Sequence, residues 1–205
     1  IILCGAADLY IDQPDCVLRK RLIAFGYLAG QLGYDFIYTV CASSYVDVAA
    51  LRRYVRGVPD RGVYHGPLGI RPGSDIPFVS GSSMLLSGDM AMDLARHAET
   101  IVAQNRAVEP DDVAIGRWFA EHHCDESMTD ICARIAVGER ATSNQAFVLP
   151  FGRGIIDYVM SPPRDQVPQP QTYHYHFPAH AISQMADFHR RYFVTPGGPL
   201  SAAGL

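Results

Sequence analysis

Short apolar runs alternate with segments of helical period through the first half of the chain. This alternation constrains the fold more than any other feature of the sequence. Ile1 to Cys4 and Phe36 to Val40 read as strands. Between them, Val17 to Leu32 carries Leu18, Leu22, Phe25 and Leu28 at spacings of four and three, with Gly33 as the stop. Asp47 is placed to cap a second helix that ends at Gly57, and Val63 to His65 reads as a further strand. Phe78–Val79 and Met84–Leu86 flank the small-residue run Ser80 to Ser83. A long helix is expected from Ser87 to about Asn105, and another from Val113 to His122. The pattern predicts an α/β domain with a central mixed, mostly parallel sheet flanked by helices. In the second half, Ser161 to Pro170 is a proline-rich connection, Tyr173 to Phe177 alternates as a strand does, and a last helix starts near Pro178. Residues 1–194 read as one domain and 195–205 as a loose tail.

Composition narrows the function classes. Apolar residues make up 48% of the 205 and charged residues 19%, enough to bury a core and too apolar for general disorder. A net charge of -4 gives no electrostatic basis for unspecific nucleic-acid binding. The longest apolar runs fall well short of a membrane span. The five cysteines are odd in number and lack zinc-knuckle spacing, which points to reduced thiols and a cytoplasmic setting.

Three segments carry a family likeness: Tyr34 to Val48, Pro77 to Ser87, and Glu109 to Gly116 with its Glu109-Pro110-Asp111-Asp112-Val113 core. In this order and spacing the chain resembles the fringe and beta-1,3-galactosyltransferase-like group of GT-A glycosyltransferases, over residues 34 to 116. The resemblance implies a GT-A, Rossmann-like domain that binds a nucleotide-sugar, a UDP-sugar in most such enzymes. It implies inverting transfer of a hexose-type sugar to an acceptor hydroxyl. Where the family carries an acidic D-x-D motif, this chain has Cys41-Ala42-Ser43. Two carboxylates there would hold Mn²⁺ or Mg²⁺ against the donor diphosphate. Their replacement leaves three alternatives: a metal-independent enzyme, compensation by Asp47, or a degenerate relative. By the resemblance, the family's nucleobase-binding segment is expected to be short or absent ahead of Ile1.

By the same resemblance, Asp112 is the general base and Asp111 its partner. Cys41, Ala42 and Ser43 mark the diphosphate position. Gly81, Ser82, Ser83 and Lys20 belong to the donor site, with Arg153 a candidate cation for it if no metal is bound, and His176 or His174 is a metal ligand or second anchor. The residue chemistry gives each a plain counterpart. Two adjacent carboxyls in a dry pocket drive one pKa upward, but Asp111 could equally cap the helix that follows. Gly81 to Ser83 would let backbone amides approach a sugar, or form an ordinary turn. Arg153 lies between two glycines, a mobile setting from which it could close over a phosphate. His174 and His176, two apart on a strand, share a side. His122-His123 with Cys124 and Asp125 reads as a solvated helix end rather than a zinc site. The resemblance implies a glycan or other hydroxyl-bearing acceptor. Arginine clusters permit a modified nucleic acid, which the net charge does not encourage. The rival readings are an inactive relative that binds a glycan and a metal-dependent hydrolase on the His-rich segments.

Overall fold

Leu18, Leu22 and Phe25 are each 1% exposed, and they explain why the first helix forms where it does: their spacing lays one continuous apolar stripe against the centre of the molecule. The structure, a computed structural model, describes residues 16–41, 44–66, 68–70, 76–105, 109–123, 145–148, 152–155, 158–160, 174–176 and 182–194. The stripe belongs to α1 (Cys16–Phe25), which runs on into a wider π-helical turn (Gly26–Gln31). Gly33 follows at φ 65°, the left-handed backbone for which its lack of a Cβ suits it. The strand expected at Ile1 to Cys4 lies outside the described residues.

β1 (Phe36–Val40), β2 (Ser44–Val46) and α2 (Val48–Val55) come next. Asp47 caps α2 as its sequence position predicts, accepting from the Ala50 amide at 3.0 Å. β3 (Tyr64–His65), β4 (Leu68–Ile70), β5 (Pro77–Val79) and β6 (Ser83–Ser87) follow. β6 is buried along its whole length, as its unbroken Met84-Leu85-Leu86 run requires of a central strand covered on both faces. It pairs antiparallel with β1 on one side (Tyr38 opposite Leu85) and with β3 on the other (Tyr64 opposite Leu86). β4 pairs antiparallel with β5.

α3 (Gly88–Arg96), α4 (Ala98–Gln104) and α5 (Asp111–His122) pack with α1 over this sheet. The core joins Leu18, Leu22 and Phe25 to Met84, Leu86, Leu94, Ile115 and Phe119, with the Tyr64 and Phe119 rings 4.5 Å apart. The remaining elements are β7 (Gln145–Val148), β8 (Gly152–Ile155), β9 (Tyr158–Met160), β10 (His174–His176) and α6 (Ile182–His189), then a π-helical turn (Arg190–Val194). β10 joins β2 antiparallel, with His176 opposite Ser44, and β9 in parallel; β7 and β8 pair antiparallel. A small aromatic cluster of Tyr45, Tyr175, Phe188 and Tyr192 packs α6 against this second sheet.

The molecule is thus mixed α/β, as the alternation predicts. The mostly parallel sheet is not what the described strands form: their pairings are antiparallel except for β9 with β10. Sheet direction depends on how chain-distant strands meet, and periodicity does not encode it. The helix expected from Ser87 to Asn105 is two helices with a break at His97 (φ -104°, ψ 14°), whose imidazole turns back to the Asp93 carbonyl at 2.9 Å. Asp93 also receives Trp118 Nε1 at 2.7 Å and His123 Nε2 at 2.8 Å, tying α3 to the end of α5. His122 stacks on Trp118 with centroids 3.7 Å apart. The last described helix spans Ile182–His189, and Pro178, where its start is expected, lies outside the described residues. No described helix is long and apolar enough to cross a membrane.

Gly66 marks the tightest approach in the sheet. A Cβ there would lie 2.1 Å from Val79 Cγ1 and 2.2 Å from the Ser83 carbonyl oxygen. Backbone cannot yield as a flexible side chain can, so Gly66→Ala is expected to cost about 3 kcal/mol of stability in urea denaturation. A loss under about 0.5 kcal/mol would show that the strands have room to part.

Candidate active site

The turn between β5 and β6 is where the segments singled out in the sequence meet. Ser83 N donates to the Ser80 carbonyl at 3.1 Å, closing the turn, and the Ser80 and Ser82 hydroxyls lie 2.9 Å apart. The buried β6 fixes one end. At the other, the Val79 amide donates to the Tyr64 hydroxyl at 2.9 Å.

On one side of the turn the contacts are charged. The Gly81 amide donates to Asp112 Oδ2 at 2.9 Å, and Asp112 Oδ1 accepts from the Val113 amide at 3.0 Å. Asp111 is the first residue of α5, one position past the N-cap, which is Pro110. Its Oδ2 lies 2.8 Å from Arg21 Nη1 of α1, at an angle that makes an ion pair without a hydrogen bond. Both atoms are buried and have no hydrogen-bond partner among the described residues. Burial pushes the Asp111 carboxyl above its usual range; Arg21 opposes the shift and the charge of Asp112 adds to it. The guanidinium also lies over Gly81, where a Cβ would come within 2.8 Å of Nη1 and 3.2 Å of Nη2. Glu109 and Asn105 fix the approach to α5: Asn105 bonds the Glu109 amide at 3.0 Å and its carbonyl at 3.2 Å, while the Glu109 carboxylate pairs with Arg117.

On the other side the contacts run through hydroxyls, a thiol and an imidazole in series. Ser44 Oγ lies 3.3 Å from the Ser82 carbonyl, 3.3 Å from His174 Nε2 and 3.2 Å from Cys41 Sγ. His174 is fully buried, and its Nδ1 lies 2.8 Å from the Tyr38 hydroxyl, which in turn is 2.7 Å from Ser83 Oγ. Both ring nitrogens are therefore engaged by protein hydroxyls, so a metal at His174 would have to displace one. His176 is in the same strand, opposite Ser44.

The turn thus gathers Asp111, Asp112, Gly81, Ser82, Ser83, Cys41 and His174 from the expected set. Ala42 and Ser43 lie outside the described residues. The cation at the carboxyls is Arg21; Lys20 is one helical step, about 100°, away on α1. Arg153 sits in a paired strand, opposite Phe147, and not in an open glycine loop. Sequence reasoning missed Arg21, although it falls three residues after Leu18 and four before Phe25, in the apolar stripe, where a charge needs a partner. It also missed Tyr38, whose reach to His174 spans chain positions no local pattern connects.

The donors near Cys41 are a thiol, hydroxyls and an imidazole, a poor set for a hard divalent cation. Asp47 is occupied as a helix cap. Among the described residues no group of three or more His, Cys, Asp or Glu is arranged to hold a metal ion.

Because the folded chain holds the Asp111 proton more firmly than the unfolded chain does, Asp111 supplies stability in acid that is lost as pH rises from about 4 through the folded value. Asp111→Asn, which cannot ionise, is expected to gain stability relative to the unsubstituted protein between pH 4.5 and 7.5, measured by urea denaturation at each. An identical difference at both values would count against a buried Asp111. Compared with family models and with curated proteins, the sequence matches none.

Proposed function

We propose that the chain is an inverting glycosyltransferase of GT-A type, transferring a hexose-type sugar from a nucleotide-sugar, a UDP-sugar by the resemblance, to an acceptor hydroxyl. One observation carries the reading. The three segments that resemble the fringe-like family, far apart in sequence, share one turn: Gly81 bonds Asp112 at 2.9 Å and Ser82 receives Ser44 at 3.3 Å.

In this reading Asp112 takes the proton of the acceptor hydroxyl as its oxygen attacks the anomeric carbon. The new C–O bond forms on the face opposite the departing diphosphate, which leaves with the bonding electrons, and the configuration inverts. The Gly81 amide and the backbone of α5 hold the Asp112 carboxylate in place for that step. The donor diphosphate lies toward Cys41 and Ser44, with Gly81, Ser82 and Ser83 beneath the sugar, and Lys20 and Arg153 remain candidate phosphate contacts. The described groups around Cys41 and Ser44 offer no carboxylate cage for Mn²⁺ or Mg²⁺.

Asp112→Asn is expected to lower transfer at least about 100-fold, the scale of lost general-base catalysis, while UDP binding by calorimetry stays within about twofold. Retention of more than a few per cent of activity would remove Asp112 from the role of base. Activity is also expected to survive EDTA; complete loss that Mn²⁺ restores would show that a metal site exists. A thermal-shift panel of nucleotide-sugars, with and without Mn²⁺, tests donor class directly.

A further inference from the structure

Alternation along β1 and β6 gives the central sheet two faces. Ile37 and its partner Leu86 lie on one and join the main core. Tyr38 and its partner Leu85 lie on the other, with Phe36 two residues along on the same side. On that second face α2 packs through Ala50, Leu51 and Tyr54, and it is only 8 residues long. So short a cover leaves space beside it. A pocket of about 350 Å³ lies between strand and helix, walled by Phe36, Tyr38, Leu51, Val55 and Leu85. Sites for small molecules hold roughly 300 to 1,000 Å³ and are mostly apolar, and this one meets both conditions at the small end. Its two other lining residues are Arg52 and Arg56.

The two arginines decide what the pocket can hold. They are four residues apart, so their side chains are neighbours on the helix surface. Both are exposed, and neither has an ion-pair or side-chain hydrogen-bond partner among the described residues. α2 contains no acid of its own, in a chain whose net charge is -4. The negative pole of a helix end attracts arginines on its own account, but it would hold Arg53 as readily and does not set two of them at the edge of an apolar pocket. The walls present a single polar side chain, Tyr38, and its hydroxyl is engaged by Ser83 and His174. A nucleobase or sugar buried there would find no wall side chain free to match its polar groups. An apolar body with one anionic end satisfies walls and arginines together. The geometry points to a second binding site, for an amphipathic carboxylate: an apolar chain in the pocket, its acid between Arg52 and Arg56. This site is separate from the turn at Gly81 and does not rest on the transferase reading. Tyr38 borders both.

The test separates body from charge. Acetate, hexanoate, octanoate and 1-octanol are titrated against the full chain by saturation-transfer NMR. Octanoate is expected to bind more tightly than hexanoate, by about fourfold for each added methylene that the pocket buries, and acetate to give no measurable signal. Octanol, the same body without the acid, should bind at least about fivefold more weakly than octanoate. Replacing both arginines, Arg52→Gln with Arg56→Gln, should weaken octanoate by a similar factor. Arg53→Gln, on the same helix but not lining the pocket, should leave its Kd within about twofold. All three arginines are exposed, so these variants do not depend on repacking the interior. Val55→Trp, which fills the pocket from the helix side, should abolish binding. No binding of octanoate, or no gain over hexanoate, overturns the inference. So does octanol binding as tightly as octanoate, or indifference to the double arginine variant. A loss from Arg53→Gln as large as that of the double variant reduces the site to diffuse charge and overturns it equally. A folded Val55→Trp that binds octanoate unchanged places the acid elsewhere and has the same force.

Discussion

One backbone donor, the Gly81 amide, ties the turn before β6 to the start of α5. It belongs to the turn leading into β6, the buried central strand, and it bonds a carboxylate at the start of α5. Neither end can drift. β6 is held by neighbours on both sides, and α5 is fixed at its start by Asn105 and Glu109 and at its end by Trp118 and His123 on Asp93. A hydrogen bond between two such anchored elements costs little further ordering, because the packing of Met84, Leu86, Ile115 and Phe119 has already met that cost.

Much of this frame is legible in the sequence, and the parts that are not have two causes. β1, the Asp47 cap and α5 follow from local apolar spacing and local capping chemistry, and they stand where the sequence places them to within two residues. The direction of strand pairing and the reach of Tyr38 to His174 depend on partners distant in the chain. The break at His97 is local but not periodic: apolar spacing continues through it, while its imidazole bonds the carbonyl four residues back. Arg21 is an intermediate case. Its place in the apolar stripe is visible from spacing, while its partner Asp111, ninety positions on, is not. For the candidate site, the residue types in the turn and the carboxyl pair were readable, but the cation that completes them was not.

The absence of carboxylates from Cys41 to Ser43 has a physical counterpart in what surrounds Cys41. Two carboxylates at that position would need a cation or several donors to offset their repulsion. The neighbours present are Ser44, His174 and Tyr38, a chain of groups that can satisfy one another without net charge. Charge in this region is concentrated instead beyond Gly81, where Arg21 and the α5 carboxyls offset one another. The polarity of the site is therefore a property of the whole turn and its neighbours rather than of one motif.

Trp118 is the chain's single tryptophan, and its indole is gripped between the His122 ring and the Asp93 carboxylate. α5 is 12 residues long, so this indole lies only about 9 to 10 Å along the axis from the carboxyls that open the helix. A rigid rod moves at both ends. His122 rides on the same helix as the indole, but Asp93 belongs to α3, so an occupant that shifts the start of α5 is expected to move the ring against its hydrogen-bond acceptor and to change its ultraviolet emission without a label.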